Sequence, residues 1–274
     1  MTENAMDAIG WFKVGDNLLL REDPARDACF KVTRNELEME EHEGMGDVAR
    51  REMLHRHMTN EITSIDIAAA CLADFPEAPW ELRMELARQC YDETRHVRIL
   101  YRRLQELGGY KGEFPISALE WSITCALDNM VGRLTTQNRT LEAGAMDVVA
   151  GLARAVRAAG DQETAHVLEG ILADEVQHVR FANRWIKKFV AEDRRALMKV
   201  AAAVRFLAEA NRHFQPQEGD VNATGKTFDD PQARIPAVNV EDRKLAEFND
   251  DEIHEILRQT GFRSLLNEQP AAGA

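Results

Sequence analysis

Asp92-Glu93-Thr94-Arg95-His96 and Asp174-Glu175-Val176-Gln177-His178 decide how this chain reads. Both follow the pattern DExxH. Glu61 lies 32 residues before Glu93, and Glu142 lies 33 residues before Glu175. The chain therefore carries one unit twice, a lone glutamate and then DExxH. A repeat of this kind constrains a fold more than a single motif does. Glu and His three apart on a helix share a face, so each motif can present both side chains to one point.

The residues around each motif say which face that is. Apolar side chains at three- and four-residue spacing mark the seam of a helix bundle. On the first predicted helix the seam runs Leu54, Met58, Glu61, Ile65, Ala68, Leu72. On the second it runs Leu82, Leu86, Gln89, Glu93, His96, Leu100. The third reads Val131, Thr135, Asn138, Glu142, Ala145, Val149, and the fourth Leu168, Ile171, Glu175, His178, Ala182, Trp185. All six chemically competent residues thus fall among core positions. Buried, unpaired carboxylates are costly, and no seam position holds Lys or Arg. Bound cations are the simplest compensation.

The candidate metal ligands are therefore Glu61, Glu93, His96, Glu142, Glu175 and His178. An oxygen-rich set disfavours structural zinc, which prefers Cys and His. It suits two Fe ions, and the sequence does not separate these from Mn or a mixed Mn/Fe pair. A metal-bound histidine commonly donates its other N–H to a carboxylate. Pseudo-symmetry then assigns Asp92 to His178 and Asp174 to His96. The competing reading is a bundle that keeps these residues as salt bridges to arginines such as Arg95.

Working outward, helices are predicted over 47–73 and from Pro79 to Leu107, the second ended by Gly108-Gly109. A long helical stretch over 116–159 is interrupted near Asn129–Gly132. A fourth helix runs over 161–190, and a fifth over 193–213 packs on the bundle or on a second subunit. The fold class is all-α: a ferritin-like four-helix bundle with an additional C-terminal helix and extended N- and C-terminal arms. The divisions are 1–44 for the N-terminal arm, 45–213 for the bundle and 214–274 for the C-terminal arm. In the first arm Trp11–Leu20 reads as extended and Asp23-Pro24 as a turn. In the last, Pro216, Gly219, Gly225, Pro231 and Pro236 punctuate a polar segment before a short helix at 250–259, stopped by Gly261.

A net charge of -13 repels phosphate backbones, so nucleic acid is not an expected partner. Cys29, Cys71, Cys90 and Cys125 form no CxxC pair, which argues against a disulfide scaffold or zinc ribbon. The longest strongly apolar stretch, Ile67–Ala73, is too short to span a bilayer. With no basic and apolar leader at the N-terminus, the expectation is a cytoplasmic protein without a membrane partner.

Over about residues 47–190 the repeated Glu and DExxH units resemble the ferritin-like superfamily. The stretch Asn239-Val240-Glu241-Asp242-Arg243 to Phe248-Asn249-Asp250-Asp251-Glu252 is similar to the tail of a bacterial ferritin-like family of unassigned function. The resemblance implies reductive O2 activation at a dinuclear site, with O2 as co-substrate. It does not choose a substrate. The N-oxygenase branch adds a third histidine where this chain has Ile171. Reductase small subunits need a tyrosine near the site, and Tyr91 and Tyr101 lie off the seam. Storage ferritins carry little beyond the bundle.

The functional expectation is an oxidase or oxygenase acting on a small organic substrate, with an electron-donor protein as partner and homodimer formation open. The alternatives are a ferroxidase and a metal-stabilised interaction protein. If a two-fold axis relates the helix pairs, one end of the site gathers Ser64, Ala68, Gln89, Thr135, Asn138 and Ala182, all small or polar. That end is the expected substrate or O2 cavity. The equal alternative is that Gln89 and Asn138 simply hydrogen-bond the glutamates. His55 and His57 read as surface or interface histidines rather than ligands.

Overall fold

The computed structural model describes residues 10–229, 235–261 and 263–265. Pro231 and the outermost ends of both arms lie outside the described residues. The chain is mostly helical. The order is β1 (Trp11–Val14), β2 (Leu18–Arg21), β3 (Val32–Thr33), α1 (Asp47–Asp74), α2 (Trp80–Glu106), β4 (Ile116–Ser117) and α3 (Leu119–Thr124). Then come α4 (Met130–Leu134), a π-helical segment (Thr135–Glu142), α5 (Ala143–Ala158), α6 (Gln162–Glu192), α7 (Ala196–Phe214), α8 (Val240–Leu245) and α9 (Asp250–Gln259).

Local chemistry explains most boundaries. Gly108, at φ 81°, takes the left-handed conformation just beyond α2. Asp161 caps α6 by accepting from the Thr164 amide at 3.0 Å. Asn249 and Glu252 form a reciprocal capping box at the start of α9.

The predicted helix over 116–159 is several pieces. Residues 116–117 pair in parallel with 32–33 as a strand. The chain turns after α3, and Asn129 restarts the helix by accepting from the Gly132 amide. The interruption therefore covers residues 125–129 and ends at the start of the 129–132 stretch. Trp11–Leu20 is a hairpin rather than one extended segment, because Gly15 at φ 56° reverses the chain between β1 and β2. Asp23-Pro24 is not a turn. Asn239, whose side chain accepts from the Asp242 amide, caps the unexpected helix α8.

Two apolar clusters bracket the middle of the long helices. One contains Ile67, Leu82, Leu86, Trp121, Leu134, Phe181, Ala182, Trp185 and Ile186. The other contains Leu54, Met58, Leu100, Leu104, Val149, Val156, Leu168 and Ile171. Burying such side chains stabilises by about 1.5–3 kcal/mol each, which is the resource that holds polar groups between them. Along every long helix the Glu and His positions fall between the residues of these two clusters.

Where the arms are described, they pack on the bundle. Ala246, Phe248 and Ile253 pack on Ala143, Met146, Val176 and Val179. Arg243 pairs with buried Asp147 at 2.6 Å. Leu18 and Leu20 of the hairpin meet Ile123, Leu207 and Ala210, so α7 packs on this chain's own body. Among the described residues, no helix is long and apolar enough to cross a membrane.

Candidate metal centre

The six side chains singled out by spacing converge between the two apolar clusters. Ligand atoms of Glu61, Glu93, His96 and Glu175 lie within 4.8 Å of one another, as do those of Glu142, Glu175 and His178. Glu175 belongs to both groups. All six residues are buried. His96 Nδ1 lies 2.9 Å from Glu93 and 3.4 Å from Glu175. His178 Nδ1 lies 3.3 Å from Glu93 and 3.4 Å from Glu175. Both rings therefore turn Nδ1 inward.

Their outer nitrogens meet the aspartates crosswise. His96 Nε2 lies 3.1 Å from Asp174 Oδ2, and His178 Nε2 lies 3.4 Å from Asp92 Oδ2. Arg95 bonds Asp174, and Arg88 donates to Asp92 at 3.3 Å. Arg95 thus sits on the aspartates, not on the glutamates. Among the described ion pairs, none joins Glu61, Glu93, Glu142 or Glu175 to Lys or Arg. An Asp92→Asn variant should bind metal at least about tenfold more weakly, because a neutral amide is a weaker acceptor and can turn its NH2 to the ring, so the His178 tautomer is no longer fixed. Unchanged affinity in a competitive chelator titration would remove that role.

The electrostatics show what the glutamates lack. Burial, with Glu93 and Glu175 nearby, pushes the Glu61 carboxyl well above its usual range. Burial and Glu175 do the same to Glu142. Burial opposes the charge on Glu93 too, but the His178 and His96 rings close beside it hold it well below its usual value. Burial also opposes charge on His96, yet Glu175 and Glu93 raise it to about 10. Burial acts likewise on His178, which Glu175 and Asp92 hold well above its usual value. The shifts of Glu61, Glu142, His96 and His178 all favour the protonated form, which offsets charge in the carboxylate cluster. Metal ions would displace those protons.

Two observations test the fit. Glu175 Oε1 and His178 Nδ1 are buried without a hydrogen-bond partner, although such atoms are nearly always satisfied. The donor set is four carboxylates and two imidazoles, in two overlapping groups that could each hold a metal ion. The residues present therefore fit a dinuclear metal site.

Gln89 donates to Glu142 Oε1 at 2.5 Å and to Glu93 Oε1 at 3.3 Å. Asn138 donates to Glu142 Oε2 at 2.9 Å and to Gln89 Oε1 at 3.0 Å. These two residues orient glutamates. Thr135 Oγ1 is spent on the Val131 carbonyl at 2.7 Å. Ala182 is packed in the cluster that contains Leu86, Leu134 and Trp185, and Ala68 is buried. The expected end of the site is therefore filled. Of its six residues only Ser64 lines the cavity that adjoins the glutamates.

That cavity, of about 210 Å³, opens sideways between α1 and the π segment with α5. Its lining includes Glu61, Glu142, Glu175, His57, Asn60, Glu120, Gln137 and Val149. Thr135, Thr136, Gln137 and Asn138 are all buried. A π-helical turn is wider than an α turn and often marks a functional site. Here it places Gln137 in the cavity while Asn138 reaches Glu142. His57 is not a surface residue: its Nε2 lies 3.2 Å from Glu61, and burial lowers its pKa to about 4. The signal for it was the four-residue step from His57 to Glu61. His55 is buried, edge-on to Phe30 and Phe114, and accepts from the Gly112 amide.

A model of the family described as protein of unknown function (DUF455) matches residues 3–254. No curated protein and no solved structure matches the chain.

Proposed function

The chain belongs to the DUF455 family, a family of unknown function, and from that premise we propose that it is a dinuclear iron oxidase or oxygenase acting on a small organic substrate. One observation carries the reading. Four glutamates and two histidines are buried together with no Lys or Arg partner among the described residues, and Glu61, Glu142 and Glu175 of this group line a cavity. In this reading α1, α2, the π segment with α5, and α6 are the four helices of a ferritin-like bundle.

Glu61 and His96 would hold one ion and Glu142 and His178 the other, with Glu93 and Glu175 beside both histidines. Bound iron supplies the electrons and the Lewis acidity for O2 reduction. The chain's own side chains do the rest. Asp92 and Asp174 keep the proton on Nε2 of the histidines and so leave Nδ1 free to ligate. Gln89 and Asn138 hold Glu142 by both oxygens. The apolar clusters exclude water from above and below, which leaves the lateral cavity as the approach. A cavity walled in part by Leu141, Ala145, Val148 and Val149 suits carbon better than a hydrated cation, and this favours an organic substrate over the metal itself.

The test is a ferrous titration under argon followed by oxygen. The expected result is uptake of about two iron ions per chain and a single stoichiometric oxidation. Continued turnover to a ferric core would replace the proposal with a ferroxidase. Failure to bind either iron or manganese would end it.

A further inference from the structure

The cavity beside the glutamates leads somewhere. Asn60, Glu120 and Leu141 line it, and the same three residues line a larger groove of about 670 Å³. The two volumes are therefore neighbours, and these three residues, called the neck below, are common to both. The groove walls are largely apolar, with Met39, Leu207, Phe214 and Phe228 drawn from elements far apart in sequence.

The charges on this path are one-sided. Glu36 and Glu120 both line the groove. Neither takes part in an ion pair with a described cation, and Glu36 lies close enough to raise the Glu120 pKa. Arg56 also lines the groove but is engaged, donating to Glu52 at 2.7 Å and to the Glu40 carbonyl at 2.5 Å. Burial pushes the Glu120 carboxyl up to about 7, with Gln137 as its hydrogen-bonding neighbour. A carboxylate so placed lacks a cation. Glu61, Glu142 and Glu175 line the same cavity.

We propose that groove, neck and cavity form one binding site for an elongated, mostly apolar molecule carrying a basic nitrogen, which Glu120 binds at the neck. The hydrocarbon adjoining the nitrogen then lies against Leu141, Ala145 and Val149, next to the glutamates. This names a substrate class for the reading above and rests on that reading for its chemistry, though not for binding.

The experiment is equilibrium binding of n-octylamine, n-octanol and n-octanoate to the full-length protein at neutral pH, with metal content measured on the same preparation. Octylamine should bind at least about tenfold more tightly than either analogue, as expected for a hydrogen bond between charged groups. Glu120→Gln should abolish that preference and leave octanol affinity and metal content unchanged. Glu36→Gln, on the groove wall, should weaken the amine several-fold, and so tests the same complementarity should Glu120→Gln fail to fold. Equal or tighter binding of octanol or octanoate, or a preference that survives both substitutions, would overturn the proposal. Metal bound without amine preference removes the substrate class alone. Amine preference in a protein that binds no metal upholds the site and removes only its oxidative chemistry.

Discussion

Replacing Glu175 with Ala should abolish loading of both metal ions. Glu175 is the one residue in both ligand groups, and its Oε1 has no hydrogen bond to compete for it. Glu61→Ala touches one group and Glu142→Ala the other, so each should cost about half of the bound metal. Elemental analysis after dialysis would show the difference, with Glu175→Ala near zero and the other two intermediate. The helices should persist, because the apolar clusters on either side share no residue with the site. Circular dichroism would check this. A Glu175→Ala protein that retains both ions would show that the glutamates are not the metal site.

Stripping the metal should destabilise the chain strongly, and more so as pH rises. A ligand at about a thousand times its dissociation constant contributes roughly 4 kcal/mol. For a chain of this size each kcal/mol moves the melting temperature by about 2–4 °C. Two ions therefore correspond to roughly 15–30 °C.

The pH dependence follows from the shifted groups. Glu61 and Glu142 have folded pKa values above the ordinary 4.5. The stability they contribute is complete below that value and is lost as pH rises. His96 has the same sign: its contribution is complete below 6.5 and is lost as pH climbs through about 10. Glu93 has the opposite sign, and its contribution is lost only as pH falls below 4.5. His57, lowered to about 4, loses its contribution as pH falls below 6.5. Between about pH 7 and 9 the metal-free protein should therefore lose about 1.4 kcal/mol per pH unit through His96. Metal replaces those protons and binds more tightly as pH rises, so the loaded protein should show a flat or opposite trend. Melting curves with and without chelator across this range would decide it. A metal-free protein equally stable at both ends would refute the electrostatic account.

The legible part of the chain was whatever local spacing writes down. Glu93 and His96 share a helix face because three residues make nearly one turn, and the surrounding leucines say that this face is inward. The crosswise aspartates could be named because each precedes a ligand glutamate in a repeated unit. Caps at Asp161, Asn249 and Gly108 punctuate the helices through one side chain or one backbone conformation each. Asn129 and Asn239 cap α4 and α8 in the same way.

The rest depended on contacts between distant segments. Small residues at 68 and 182 predicted an open end of the site. The cluster containing Trp121, Phe181 and Trp185 closes that end, and Trp121 arrives on α3, a helix whose start is drawn off the expected seam by strand pairing with 32–33. The π segment shifted Gln137 toward α1 and opened the cavity on the side. The groove that feeds it is walled by α3, α7 and both arms, so no single segment could announce it. By itself, then, the sequence determined the six inward-facing ligand candidates, their outer aspartates and the helical class, since each is set by periodicity along one helix. Only the tertiary structure decided where the space beside them lies, because a cavity is the volume that residues remote in sequence leave unfilled.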